Sequence, residues 1–244
     1  MNLFIFGASG RFAQVVYRRG TELNKSLNIL GYSRKKPLFN ADQIFSVEEG
    51  ISLINKTQGA CLFCLHGKSD YIYELSMLRR IAPKIHSSRP FIYVSTAAIY
   101  SREQRLINSS SPERILSSYS LIKKTAELDL LSLSNLRNLH IIRPVDIVYS
   151  SKDQGRRPAH CVAAEKVADL IHSVCLNYWN FDRKISSIYL SADKIKAENT
   201  KLTPLMYLSN IEAARFAVNR YVFQKQGCLS PFLEYIDSSH EVFN

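Results

Sequence analysis

Long apolar runs are missing from this 244-residue chain. No window approaches the roughly 20 uninterrupted apolar residues that a membrane-crossing helix needs. No signal segment is expected, because the apolar stretch at residues 2–6 is too short and a glycine-rich turn follows it at once. Internal repeats and low-complexity segments are absent as well. The five cysteines are odd in number and have no framework spacing, which argues against a disulfide scaffold. Cys61 and Cys64 form a Cys-x-x-Cys pair, but they lie in an apolar run that predicts a strand. Positions i and i+3 of a strand point to opposite faces, so they are expected to be core thiols. These absences define the expectation of a soluble, cytoplasmic protein.

Acidic residues are scarce: 21 against 32 Lys and Arg, for a formal net charge of +11. Such a balance suits anionic ligands such as nucleotides or phosphates, and equally nucleic acid. The basic residues are scattered in twos and threes, as at Arg18-Arg19, Arg79-Arg80 and Arg156-Arg157, without a long run or nucleic-acid motif. A generally basic surface is the expectation. Binding of nucleic acid rests on net charge alone.

What the chain does have is an alternation of strand and helix patterns. Residues 2–6 predict a buried strand, and Gly7-Ala8-Ser9-Gly10-Arg11-Phe12-Ala13 leads into a helix to about Arg19. Strand, glycine turn and helix in that order make a phosphate site, because small residues let the backbone approach an anion at the helix start. A second strand is expected over Leu27–Gly31. It ends in Tyr32-Ser33-Arg34-Lys35-Lys36, with no acid to take a ribose hydroxyl. Ser33 can hydrogen-bond a 2′-phosphate and Arg34 can grip it in a fork, which favours NADP over NAD. A solvated basic loop would leave that preference open.

Further strands are expected at 42–47, 60–65, 91–95 and 139–143, with 147–149 as an extension and 186–190 as a late strand. Helices are expected at 47–56, 70–85, 117–133, 160–178 and 211–226. The tail from Gly227 carries no pattern. The fold class is therefore α/β, a doubly wound, mostly parallel sheet. Its ligands bind beyond the carboxyl ends of the strands, where Gly7, Arg34, His66, Thr96 and Pro144 all fall. His66-Gly67 would flank the cofactor, with His66 held as structural. The expected division is a dinucleotide-binding domain over residues 1–175 and a small C-terminal, substrate-side lobe over 176–244, whose elements could rejoin the main sheet.

Tyr119 and Lys123 stand one helical turn apart on one face. A cation beside a phenol favours the phenolate, which suits a general acid/base. Tyr-x-x-x-Lys is common by chance, and its usual meaning is a tyrosine packed on a helix.

Four stretches in order resemble the short-chain dehydrogenase/reductase superfamily, in its extended branch of sugar-nucleotide epimerases, dehydratases and reductases. They are Gly7 to Gly10 with Ala13, Tyr93 to Tyr100, Tyr119 to Lys123, and Ile142-Arg143-Pro144 with Asp146 and Tyr149. The resemblance covers about residues 1–175 and implies a Rossmann fold binding NADP or NAD. It implies that Thr96 hydrogen-bonds a substrate oxygen, that Tyr119 exchanges a proton with it, and that Lys123 holds the nicotinamide ribose. Gly7, Ser9, Gly10, Arg11 and Phe12 would line the pyrophosphate turn, and Pro144 and Val145 would lie against the carboxamide. The implied substrate is a small molecule, a sugar or nucleotide sugar, and the helices at 70–85 and 117–133 would pair two copies into a homodimer.

There are departures. Ala13 replaces the third glycine, and Ser101 and Ser120 stand where glycine is common. Asp146 replaces an asparagine that often contacts a substrate diphosphate. Ala97 and Ala98 follow Thr96 where a dehydratase usually carries an acid, which ranks dehydration below reduction and epimerisation. Only about ten residues separate Tyr149 from the helix expected at His160, so the substrate lobe is short. Arg156 and Arg157 could meet an acidic substrate or form a solvated turn. The second reading is a non-catalytic NADP-binding regulatory or partner module.

Overall fold

Runs of β-branched, aromatic and leucine residues recur along the chain, and each fully apolar run becomes a strand covered on both faces. The computed structural model describes residues 2–23, 28–32, 43–57, 59–64, 71–100, 112–115, 117–149, 161–177, 185–191, 233–237 and 242–243. Within them lie β1 (Asn2–Phe6), α1 (Arg11–Leu23), β2 (Asn28–Tyr32), β3 (Gln43–Ile44), α2 (Val47–Lys56), β4 (Gly59–Phe63), α3 (Tyr71–Ile81) and β5 (Phe91–Val94). Then come α4 (Ser118–Ser132), β6 (Asn138–Pro144), β7 (Asp146–Val148), β8 (Cys161–Ala163), α5 (Ala164–Asn177), β9 (Ile185–Ser191), β10 (Leu233–Asp237) and β11 (Val242–Phe243). Among the described residues no helix is long and apolar enough to cross a membrane.

Among the described residues nine strands form one sheet in the order β11-β10-β9-β6-β5-β4-β1-β2-β3, and β7 pairs with β8 in a separate ribbon. All pairings in the main sheet are parallel except β10 with β11. This is the doubly wound α/β sheet expected from the sequence. β1 is flanked by β2 on one side and β4 on the other, so the winding reverses there. A reversal of this kind opens a crevice at the carboxyl ends of the two central strands. Gly7 and Cys64 are the residues that follow those ends.

Alternation along the strands feeds two cores. Phe4, Phe6, Cys61, Phe63, Phe91 and Tyr93 face α2, α3 and α4, meeting Ile51, Ile54, Leu78, Ile81 and Leu130. Leu3, Ile5, Ala60, Leu62, Ile92 and Ile142 face α1 and α5, meeting Val16, Val167 and Ile171. Cys61 packs in the first core and Cys64 against the second, the opposite-face placement expected of the pair. Burial pushes the Cys61 thiol well up and the Cys175 thiol up to about 12.

Helix α2 begins at a capping box in which Ser46 Oγ accepts from Glu49 N and Glu49 Oε2 accepts from Ser46 N. α1 and α5 are drawn close at Gly20, where a Cβ would meet His172 Cε1 and Ile29 Cδ1, each at 2.8 Å. His172 Nε2 lies 2.9 Å from Val16 O across that contact, and Arg19 makes a fork with both Asp169 oxygens at 2.9 Å.

Some elements differ from expectation: the extension expected at 147–149 is β7, which pairs with β8 outside the main sheet. The helix expected over 160–178 begins only at Ala164, and Cys161–Ala163 is a strand because it pairs with Asp146–Val148. The patternless tail also contributes β10, which pairs in parallel with β9. The helix expected at 211–226 lies outside the described residues.

Candidate functional site

Gly7 leaves β1 with φ 110°, a conformation that side-chain-bearing residues rarely adopt. It allows Gly7 N and Ala8 N to donate together to Tyr32 O, each at 3.0 Å, tying the turn to the end of β2. Gly10 N then donates to Gly7 O at 3.0 Å, and the ladder of α1 starts with Gln14 N donating to Gly10 O at 3.2 Å. The amides of Phe12 and Ala13 precede that ladder, at the positive end of the helix. Ser9 is half-buried, Gly10 and Arg11 are exposed, and the Phe12 side chain is buried in the α1 core. The Arg11 guanidinium lies 4.5 Å from the centroid of the Tyr149 ring, joining the start of α1 to the end of β7.

The carboxyl end of β5 carries Thr96, 7% exposed. Its Oγ1 accepts from Ala98 N at 3.1 Å and caps the 3-10 turn Ala97–Ile99. A hydroxyl whose oxygen is engaged in this way still has its own hydrogen to donate. Pro144 closes β6, and half-buried Val145 packs against Ala97, Ile99 and Tyr100.

Helix α4 is anchored by Ser117, whose Oγ accepts from Ser120 N at 3.1 Å while Ser120 Oγ accepts from Ser117 N at 3.2 Å. Its buried stripe is partly polar, with Ser120, Lys123 and Glu127 on it beside Leu121, Ala126 and Leu130. Tyr119 is half-buried and its ring centroid lies 5.9 Å from Lys123 Nζ. Lys123, 4% exposed, donates to Val94 O at 2.9 Å and to Glu74 Oε1 at 2.6 Å. The same Glu74 oxygen accepts from Tyr93 Oη at 3.0 Å. Burial is the largest single influence and disfavours the Lys123 ammonium, but the Glu74 carboxylate, with smaller contributions from Tyr119 and Cys64, holds the amine above its ordinary range. Burial, with Glu74 next, pushes the Tyr93 phenol well up.

A second buried carboxylate fixes the strand ends. Glu127 Oε1 accepts from Ser95 Oγ at 2.5 Å and from Arg143 Nε at 2.9 Å, and Oε2 accepts from Arg143 Nη2 at 2.5 Å. Arg143 also donates to Tyr100 Oη and, at 3.0 Å, to Glu113 Oε1. Burial works against this guanidinium, yet the charge of Glu127 and its hydrogen bonds hold it firmly ionised. Ser95 precedes Thr96 and Arg143 precedes Pro144, so Glu127 sets the spacing of both.

The structure thus gathers Thr96, Tyr119, Lys123 and Pro144 around β5, β6 and α4, with Gly7, Ser9, Gly10 and Arg11 at the neighbouring switch point. Ser33, Arg34, His66 and Gly67 lie outside the described residues. Sequence reading passed over Glu74, Ser95 and Glu127. Their signals were a single acid inside the apolar run Tyr71–Ile81, a serine beside the named threonine, and an acid four residues after Lys123.

The residues present fit an anionic dinucleotide: a left-handed glycine at the turn, a helix start with its amides forward, a guanidinium at the rim and a buried ammonium. No family model and no curated protein matches this sequence. Solved structures do match in fold. A UDP-N-acetylglucosamine 4-epimerase from Bacillus cereus is similar at a TM-score of 0.62 and 16% identity, over 82% of this chain and 80% of that one. A dTDP-4-dehydrorhamnose reductase from Clostridium acetobutylicum is similar at 0.60 and 11%, over 98% and 91%. A dTDP-glucose 4,6-dehydratase from Bacillus anthracis, solved in complex with NAD, is similar at 0.57 and 11%, over 97% and 84%. The chain has the Rossmann-type fold of these extended short-chain dehydrogenase/reductase structures, and the likeness extends to fold alone.

Proposed function

We propose that this chain is an NADP- or NAD-dependent oxidoreductase or epimerase acting on a hydroxyl/carbonyl carbon of a sugar, nucleotide sugar or similar small metabolite. The observation that carries the reading is the placement of Lys123 Nζ, bonded to Val94 O two residues before Thr96 and 5.9 Å from the Tyr119 ring. On this reading a phenol, an ammonium and a small alcohol would serve one substrate at the carboxyl end of one strand, beside a phosphate-type turn.

The glycine turn and the start of α1 would hold the pyrophosphate, Lys123 the nicotinamide ribose, and Pro144 and Val145 the carboxamide edge. The bound dinucleotide would supply or accept the hydride. Thr96 donates its hydroxyl hydrogen to the substrate oxygen. Tyr119 gives that oxygen a proton in reduction and takes one in oxidation. NADP is preferred on the residues Ser33 and Arg34. Two copies would pair through α3 and α4.

The test is Tyr119→Phe. Turnover should fall by roughly 10²- to 10⁴-fold, while NADPH binding, followed by fluorescence, stays nearly unchanged; Lys123→Ala should weaken both. Full activity in Tyr119→Phe would remove the mechanism. A second reading, a dinucleotide-binding module without turnover, is favoured by the Glu74 carboxylate beside Lys123 and by the short connection from Tyr149 to Cys161. Binding of NADPH with no turnover across sugar nucleotides and simple ketones would select it.

A further inference from the structure

An acid within the apolar run of α3 has no ordinary packing rationale. Glu74 is fully buried between α3, β5 and α4, where leucine would fill the space without desolvating a charge. Its Oε1 takes Lys123 Nζ at 2.6 Å and Tyr93 Oη at 3.0 Å. An ammonium has three donors. Glu74 and Val94 O occupy two of them, on the side of Lys123 turned toward α3 and β5. Neither of these bonds uses the third.

We propose that Glu74 is a positioning residue for Lys123, keeping the lysine protonated and aimed so that its third N–H meets a ribose hydroxyl of the bound dinucleotide. The proposal rests on the dinucleotide-binding reading above. Without Glu74, a lysine this buried would shed its proton readily, since burial is the largest influence on it and acts downward. Among the described residues, the other titratable groups around the amine are Tyr119 on α4, Tyr93 on β5 and Cys64 after β4. Burial pushes the Cys64 thiol up to about 12, and burial also raises Tyr93, so neither replaces the carboxylate as a counter-charge at neutral pH. Glu127, one turn further along α4, is committed to Ser95 and Arg143.

The experiment uses the full chain with ¹³Cε-labelled lysine, Lys123 being assigned by its loss in Lys123→Arg. Its titration is followed by NMR in the wild type and in Glu74→Gln. NADPH affinity is measured at pH 7 and pH 9 for both, and again in a Lys123→Met background. The expected result is a Lys123 midpoint about two to three pH units lower in Glu74→Gln. The loss of NADPH affinity should deepen to about tenfold at pH 9 and vanish in the Lys123→Met background. An unmoved midpoint, or a loss equal at both pH values and additive with Lys123→Met, overturns the proposal. Should Glu74→Gln fail to fold, the wild-type midpoint decides: above the ordinary lysine value supports the role, below it overturns it. If the wild type binds no dinucleotide, the functional reading fails, and the proposal built on it is overturned with it. The two failures stay distinct, because a dinucleotide-binding wild type with an unmoved Lys123 midpoint sinks the Glu74 role alone.

Discussion

Glu127 receives Arg143 in a two-pronged ion pair, Nε at 2.9 Å and Nη2 at 2.5 Å, with both side chains essentially shut off from solvent. A pair in this setting has exchanged two hydration shells for one another, so its net contribution is small while the loss of one partner is costly. Glu127→Gln keeps the shape and leaves the buried guanidinium with the more exposed Glu113 carboxylate as its counter-charge. We expect it to lower the unfolding free energy by about 3–5 kcal/mol, read as a shift in urea midpoint at unchanged m-value. Arg143→Lys should lose the fork and part of that amount. Because Ser95 Oγ shares the same carboxylate, Glu127→Gln should also reduce turnover more than a remote substitution of equal destabilisation.

Gly7 offers a test confined to backbone. Its φ of 110° costs glycine little and an alanine roughly 1–2 kcal/mol. Gly7→Ala should therefore lower stability by about that amount and weaken NADPH binding, because relaxing φ withdraws the paired Gly7 N and Ala8 N bonds to Tyr32 O. Thermal melts with and without NADPH separate the two effects. A variant with wild-type ligand stabilisation would show that the turn does not meet the dinucleotide.

Strands such as 91–94 and 138–144 were legible because β-branched, aromatic and leucine residues dominate the first and a proline stops the second. The buried face of α4 was not. Apolar residues recur along its sequence, yet Ile122, Leu128 and Leu131 are only half-buried while Ser120, Lys123 and Glu127 are buried. Polar burial of this kind depends on partners on other elements, Glu74 and Arg143 among them, which no local pattern encodes. β8 was hidden for a related reason: Cys161–Ala163 continues the apolar composition of α5, and only its pairing with β7 makes it a strand. Thr96, Tyr119 and Lys123 could be named because their spacing is local or falls at a strand end. Glu74 could not, since it comes from a helix 49 positions away.

Two buried histidines give the stability a pH dependence of defined sign. Burial lowers His140 to about 3 and also lowers His172, so both are neutral in the folded chain. The unfolded chain takes up protons near the ordinary value of about 6.5. Stability is therefore complete above that pH and declines as pH falls toward the folded values. Between pH 6 and 4.5 His140 should account for up to about 1.4 kcal/mol per unit. Urea unfolding of wild type and His140→Asn at pH 7.5 and 5 should show the variant losing less on acidification. An equal loss in both would mean that His140 is protonated in the folded chain.

Thr96 has two roles that substitution can separate. Its Oγ1 caps the 3-10 turn through Ala98 N, and its hydrogen is the one offered to the substrate oxygen. Thr96→Ser retains both groups and should keep turnover within about threefold, with a small loss of packing. Thr96→Val keeps the shape and removes both, so stability should fall by about 1 kcal/mol for the cap and turnover by about 10²-fold for the lost donor. Thr96→Asn restores an acceptor for Ala98 N without a hydroxyl. If the cap alone mattered, Thr96→Asn would recover activity along with stability; a donor role for the hydroxyl requires that stability return while turnover stays low.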